Sequence, residues 1–279
     1  MKLVLGTAQF GSNYGITNKN GKLSAVEARQ LLGFCEQNKI QLIDTAPVYG
    51  RSETILGQYN GKYFKFITKI PTLDNKNSAT SEFIFSSINR SLTDLRVSKL
   101  YAVLIHNPKD LIKNQSDEIY QTLKKLKQKG LVEKIGVSVY NIAELAVIHK
   151  KYELDIVQLP FSIFDQSFFR TGWLEILSKS SVEIHIRSIF LQGLLLDNIK
   201  NFGPKFSKWD AAFSRYEDWL KMNKISPLEA CVRTVLSIQE IDFIVIGVEN
   251  VTQLAQIFYF SYQSPINMPE PFFDYDEKI

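Results

Sequence analysis

Short apolar runs rich in β-branched residues recur along this chain, and each gives way to a segment with helical spacing. The runs are "KLVLGTA", "IQLIDT", "YFKFITKI", "KLYAVLIH", "EKIGVSV", "DIVQLP", "VEIHIRSI" and "DFIVIGV". Between and after them come helical patterns such as "SAVEARQLLGFCEQNK", "SATSEFIFSSINRSLTDL", "SDEIYQTLKKLKQKG" and "VTQLAQIFYFSYQ". Ser24 with Glu27 three residues on predicts a capping box at the start of the first of these. Strand–helix alternation predicts a parallel sheet, because parallel neighbours need a crossover long enough to hold a helix. Eight such units in 279 residues predict one α/β domain over 1–279, folded as a (β/α)8 TIM barrel. A doubly wound open sheet is the alternative, but "GTAQFGSNYG" after the first strand lacks the G-x-G-x-x-G spacing. The segment from Gln192 to Asn223 parts the seventh strand from its helix and is expected to be an insertion over the top of the barrel.

The rest of the composition narrows the class. Hydrophobic residues make up 45% and charged residues 22%, with a formal charge of +4, which suits a globular protein with a substantial core. The densest basic cluster, "LKKLKQKGLVEK", has helical spacing and reads as a solvated helix face, so nucleic acid is not an expected partner. No run approaches a membrane span, and "MKLVLG" is too short for a secretion signal. Cys35 and Cys231 lie inside apolar helical patterns and read as core residues of a cytoplasmic protein. His149 and His185 read as structural.

Barrels of this kind carry chemistry at the C-terminal ends of their strands. Those ends present Asp44 after the second strand, Lys69 after the third and His106 after the fourth, so three neighbouring strands converge on one place. Tyr49 follows Asp44 within "IDTAPVYG" and can fold back over them. A free phenol has a pKa near ~10. An ammonium beside it is expected to lower that value, and Asp44 is expected to keep the buried Lys69 charged. His106 can donate a hydrogen bond to a carbonyl oxygen. Together they form a proton donor facing a polarised C=O, with no metal required.

With these motifs in view, the sequence resembles the aldo-keto reductase family along nearly its whole length. "GTAQFG", "IDTAPVYGRSETILG", "FITKIP", "LIHNP", "GLVEKIGVSVYN" and "IVQLPFSIFDQ" match the family's motifs in order. The resemblance implies reduction of an aldehyde or ketone by NADPH or NADH, with Tyr49 as general acid, Lys69 and Asp44 as its tuners and His106 as carbonyl orienter. It also implies that Gly6, Thr7 and Asp44 border the cofactor, and that Ser138 and Gln158 hold its carboxamide. Arg187, Ser188, Phe190, Gln192 and Gly193 would follow the nicotinamide and pyrophosphate. Gly247, Val248, Asn250 and Gln253 would meet the adenosine at a helix start.

Three positions depart from the family pattern. Val139 stands where an asparagine is usual, and Arg187 where an aromatic ring commonly stacks on the nicotinamide. Around the expected 2′-phosphate site, Gly247, Val248, Glu249 and Gln253 include no cation, so NADH is expected to be accepted. Asn250 and Gln253 also fit an ordinary capping pair. Phe10, Tyr14, Phe161 and Phe164 are candidates to line the mouth, and the short tail leaves room for a polar substrate such as a sugar derivative. Two other readings stay open at this point. One is a silent nucleotide-binding barrel, the other a Schiff-base lyase using Lys69.

Overall fold

Eight parallel strands close on themselves in sequence order, with the last hydrogen-bonded to the first. They are β1 (Leu3–Gly6), β2 (Leu42–Asp44), β3 (Lys65–Ile70), β4 (Leu100–Ile105), β5 (Val132–Ser138), β6 (Ile156–Pro160), β7 (Glu183–Arg187) and β8 (Phe243–Gly247). The structure, a computed structural model, describes residues 2–18, 21–59, 63–73, 80–113 and 115–272. The (β/α)8 barrel predicted from the alternation is the fold observed.

The helices that pack outside follow the same alternation. After a short α1 (Ala8–Gly11) come α2 (Ala25–Gln37), α3 (Ser52–Tyr59), α4 (Thr80–Leu95), α5 (Ser116–Gln128) and α6 (Ile142–Lys151). The remainder are α7 (Ser167–Arg170), α8 (Trp173–Lys179), α9 (Asp210–Asn223), α10 (Pro227–Val235) and α11 (Val251–Phe260). Among the described residues, none of these helices is long and apolar enough to cross a membrane. The predicted capping box at α2 is present, with Glu27 and Ser24 satisfying each other's backbone N–H groups. Residues 78 and 79, expected in the fourth helix, and the tail from 273 lie outside the described residues.

Side-chain alternation along the strands decides what reaches the rim. Val4, Leu42, Ile67, Leu104, Ile156 and Val245 belong to one buried cluster that fills the barrel interior. Side chains two apart on a strand share a face. One step further up those strands therefore stand Gly6, Asp44, Lys69, His106, Gln158 and Gly247. The two glycines, Gly6 and Gly247, are register partners across β1 and β8, so the rim has a gap there between Asp44 and Arg187.

The expected insertion is more than a cover. Leu191–Leu196, Ile199–Phe202 and Pro204–Trp209 form 3-10 turns leading into α9. Leu194, Leu195, Ile199, Phe206 and Trp209 of these turns, with Phe213, Tyr216 and Leu220 of α9, bury a second core with Phe164 of the loop after β6 and Phe272. This corrects part of the expected mouth. Phe10, Phe161 and Phe164 are each no more than 2% exposed and act in packing, whereas Tyr14 at 44% does face the opening. Apolar rings near a rim bury themselves when a neighbouring element offers a partner, and the insertion supplies one for Phe164. Cys35 and Cys231 are buried as expected, and burial pushes both thiols up to about 12. His185 is fully buried against Glu183 and Phe243, and His149 meets Trp173 edge-on.

Candidate active site

The turn after β2 sets Tyr49 by close packing of backbone on backbone. Tyr49 N–H bonds the Ala46 carbonyl at 3.0 Å, and Tyr49 O accepts from Ser52 N–H at 3.2 Å. A Cβ on Gly11 would fall 1.7 Å from Tyr49 O, so only glycine lets α1 approach this turn. Gly50 has φ +61°, where glycine is unstrained. A run of hydroxyls then fixes Asp44: Ser52 Oγ donates to Thr7 Oγ1 at 2.8 Å, which donates to the Asp44 carbonyl at 2.9 Å. Thr7 thus has a structural task at the end of β1.

Asp44 stands at the centre of a polar chain. Lys69 Nζ donates to Asp44 Oδ1 at 2.6 Å and to the Thr45 carbonyl at 3.0 Å. Gln158 Nε2 donates to Asp44 Oδ2 at 2.8 Å, and Ser138 Oγ donates to Gln158 Oε1 at 3.3 Å. Ser138 therefore lies behind Gln158, 2% exposed, rather than in the cavity wall. The Lys69 ammonium is 5.2 Å from the Tyr49 ring centroid, and the His106 ring stands edge-on to Tyr49 at 6.1 Å between centroids. The four residues picked from three strand ends are brought together.

Burial and charge compete in this set. Burial pulls Lys69 downward, but Asp44 and Tyr49 outweigh it and hold the ammonium above its ordinary value of 10.5. The expectation that Lys69 lowers the Tyr49 pKa is corrected: burial dominates, and the phenol sits above its ordinary value of 10. Desolvation penalises a phenolate more than this ammonium helps it, because Asp44 opposes part of the positive field. Tyr49 is thereby a protonated donor at neutral pH. His106 falls to about 4, through burial first and the charges of Lys69 and Arg187 next, and is a neutral imidazole at neutral pH.

Two cavities meet at the rim gap. The smaller, of about 90 Å³, is bordered by Gly6, Asp44, Tyr49, Gln158 and Arg187. The larger, of about 380 Å³, runs past Ser188, Phe190, Gln192 and Gly193 to Gly247, Val248 and Gln253. Gln9, Tyr14, Ser188, Val245 and Gly247 belong to both walls, so the cavities are continuous. The loop after β7 turns left-handed at Ser188 (φ 66°), Leu191 (45°), Gln192 (55°) and Gly193 (96°). Non-glycine residues in that region cost about 1–2 kcal/mol each, and such strain concentrates at functional sites. Asn250 does not line the groove. Its side chain accepts from Gln253 N–H at 2.9 Å and caps α11, while Gln253 Oε1 accepts from Glu249 N–H.

Several wall residues had no signal in the sequence. Gln9 Oε1 is buried without a hydrogen-bond partner at the junction of the two cavities, yet "GTAQFG" gives no hint that this glutamine points inward. Thr17 reaches the groove from the β1 loop and donates to the Gln192 carbonyl at 3.4 Å. Arg187 does not lie open to a stacking ring on both faces. Its guanidinium packs 4.5 Å from the Tyr140 ring centroid and donates to the Val139 carbonyl at 3.0 Å.

One rim of this closed parallel barrel thus brings together a phenol, a lysine–carboxylate pair and a neutral imidazole. The chain belongs to the aldo/keto reductase family, which it matches over residues 2–264. It is an NAD(P)H-dependent oxidoreductase of that family, and its substrates are small carbonyl compounds. It is similar to the aldo-keto reductase YhdN of Bacillus subtilis, at 25% identity over 251 residues, 81% of this chain and 72% of the relative. Oxidoreductase YdhF of Escherichia coli is 26% identical over 178 residues, 56% of this chain and 59% of the relative. Aldo-keto reductase AKR11C1 of Bacillus halodurans, in its holo form, shares the fold with a TM-score of 0.74 at 15% identity, over 95% of this chain and 88% of that one. The glycerol dehydrogenase AKR11B4 of Gluconobacter oxydans does so at 0.72 and 23% identity, over 95% and 87%.

Proposed function

We propose that this enzyme reduces an aldehyde or ketone to an alcohol with Tyr49 as proton donor, and that it accepts NADH as well as NADPH. The observation that carries this is the buried Lys69–Asp44 pair beneath a protonated Tyr49, opposite a neutral His106. The substrate carbonyl accepts hydrogen bonds from the Tyr49 hydroxyl and a His106 ring N–H. As the oxygen gains charge, Tyr49 releases its proton to it, and Lys69 stabilises the phenolate left behind. Asp44 keeps Lys69 protonated and holds it in place.

The residues fit a nicotinamide nucleotide. The side-chain-free gap at Gly6 and Gly247 opens the catalytic cavity into a groove long enough for an extended ligand, and Gln9 Oε1 awaits a donor at the junction. A reduced nicotinamide bound there supplies the hydride. Gln158, held from behind by Ser138, would orient its carboxamide, and Ser188, Phe190, Gln192 and Gly193 would follow the pyrophosphate. Gly247, Val248 and Gln253 would border the adenosine, with Asn250 shaping the helix start rather than touching it. Among the described residues no lysine or arginine lines the groove, and Glu249 does. A carboxylate hydrogen-bonds a ribose hydroxyl and repels a 2′-phosphate, which supports use of NADH. The polar side chains on the wall of the smaller cavity, Asp44, Gln158 and Ser188 among them, suit a hydroxylated carbonyl such as a sugar derivative.

A Schiff-base reaction needs a neutral lysine amine. Lys69, paired with Asp44 and shifted upward, is protonated, which favours the reductase over the lyase. The test is aldehyde-dependent oxidation of NADH and NADPH, with borohydride trapping alongside. Turnover without a trapped adduct is expected, and an adduct on Lys69 without turnover would reverse the assignment.

A further inference from the structure

Gln9 sets a buried amide at the junction of the two cavities. It is 7% exposed, and among the described residues its Oε1 has no hydrogen-bond partner. A buried acceptor of this kind is unfavourable until a donor reaches it. Among the described residues, Gln9, Tyr14, Ser188, Val245 and Gly247 border both cavities. Val245 and Gly247 offer no polar side chain, Tyr14 is open to solvent, and the half-buried Ser188 Oγ already accepts from Arg187 at 3.4 Å. Of these five, Gln9 alone turns a buried polar side chain towards whatever crosses the junction.

Local contacts hold that amide in place. Gln9 belongs to α1, whose start is tied to β2 by Thr7 N–H donating to the Asp44 carbonyl at 3.0 Å. Leu23 N–H donates to the Gln9 carbonyl at 2.8 Å, so the returning loop after β1 clamps the same residue. The side chain lies over Gly247: a Cβ on that glycine would fall 2.6 Å from Gln9 Nε2 and 2.8 Å from Oε1. The amide therefore takes the place where a β8 side chain would stand, at the rim gap itself. With its backbone anchored on either side, Gln9 loses little freedom on meeting a ligand.

Resting on the reductase reading above, we infer that Gln9 is a cofactor-binding residue whose amide accepts a hydrogen bond from a hydroxyl of the ribose that carries the nicotinamide. Covalent order within the nucleotide selects that donor. On this reading the nicotinamide occupies the smaller cavity, its carboxamide at Gln158, and the pyrophosphate follows the loop after β7. The ribose joins these two groups and so spans the junction, where its hydroxyls can donate. A site built to bond a hydroxyl rejects the analogue lacking it, because the buried acceptor is then stranded. Gln9 thus makes the site read the sugar as well as the ring and phosphates at its two ends.

The test is fluorescence titration of the full chain with NADH and with its 2′-deoxy and 3′-deoxy analogues, modified on the nicotinamide ribose. Wild type is expected to bind at least one deoxy analogue about tenfold or more weaker than NADH. Gln9→Met, of similar volume but without the acceptor, should lose about tenfold in NADH affinity and bring that ratio towards one. Gln9→Glu keeps an acceptor and should preserve the ratio. Circular dichroism of each variant confirms folding, and Gln9→Asn, which draws the amide back, is a second variant expected to lower the ratio. Equal wild-type affinity for NADH and both deoxy analogues, or a ratio unchanged in Gln9→Met, overturns the inference and leaves the reductase reading standing. So does the loss, in Gln9→Met, of a preference for NADH over reduced 3-acetylpyridine adenine dinucleotide, since the acceptor would then serve the carboxamide. No saturable binding of NADH or NADPH by wild type overturns the reductase reading and this inference with it.

Discussion

Lys69 Nζ lies 2.6 Å from Asp44 Oδ1 with both side chains withdrawn from solvent, at 1% and 5% exposure. Breaking one partner of a buried pair leaves an uncompensated charge and costs about 3–5 kcal/mol. Asp44→Asn is therefore expected to lower unfolding free energy by that amount in urea denaturation at neutral pH. The double variant Asp44→Asn/Lys69→Met should recover much of the loss, since the stranded ammonium is gone. A loss below about 1 kcal/mol in Asp44→Asn would show that water reaches the pair.

The neutral state of His106 has a pH signature. Its pKa falls to about 4 in the fold against an ordinary 6.5 in the unfolded chain. Below 6.5 the unfolded chain takes up the proton first, so stability falls as pH drops from 6.5 through about 4. In His106→Asn this contribution is absent, and the stability advantage of the wild type over the variant should shrink across that window. NMR titration of the ring checks the value directly. A midpoint near 6.5 contradicts the burial argument.

Groove access depends on an absent side chain. Gly247 is exposed at the end of β8 and borders both cavities. A Cβ there would already come within 2.6 Å of the Gln9 amide. Gly247→Leu should weaken nucleotide binding at least tenfold while leaving the melting temperature within a few degrees, read by tryptophan fluorescence and by thermal denaturation. Retained affinity would place the nucleotide elsewhere.

Glu249 should act against the 2′-phosphate. Wild-type enzyme is expected to bind NADH at least as tightly as NADPH, and Glu249→Arg should improve NADPH binding about tenfold relative to NADH. Preference for NADPH in the wild type, unmoved by the substitution, would rule out this role.

Much of this site could be read along the strands. Leu42 and Asp44, Ile67 and Lys69, Leu104 and His106 each stand two residues apart, so a periodicity of two carries the interior face up to the polar rim. Adjacent strands then bring the three polar residues together without further information. What the sequence withheld depends on distant elements. Phe164 turns away from the mouth because α9 and Phe272 give it a core, and an insertion without regular patterning does not announce that partner. The direction of Arg187 is set by Val139 and Tyr140 two strands away. The pKa of Tyr49 rises because burial outweighs Lys69, a balance of magnitudes that residue types alone cannot give.

The most direct measurement compares wild type with Tyr49→Phe, pairing aldehyde-dependent NADH and NADPH oxidation with fluorescence titration of each nucleotide. The hydroxyl acts on the carbonyl oxygen in the transition state, so its loss should cut kcat at least a hundredfold. The nucleotide dissociation constant should stay within about threefold, since the substitution removes no contact assigned to the groove. Undiminished reduction by Tyr49→Phe, or no saturable nucleotide binding by the wild type, would contradict a Tyr49-driven carbonyl reductase.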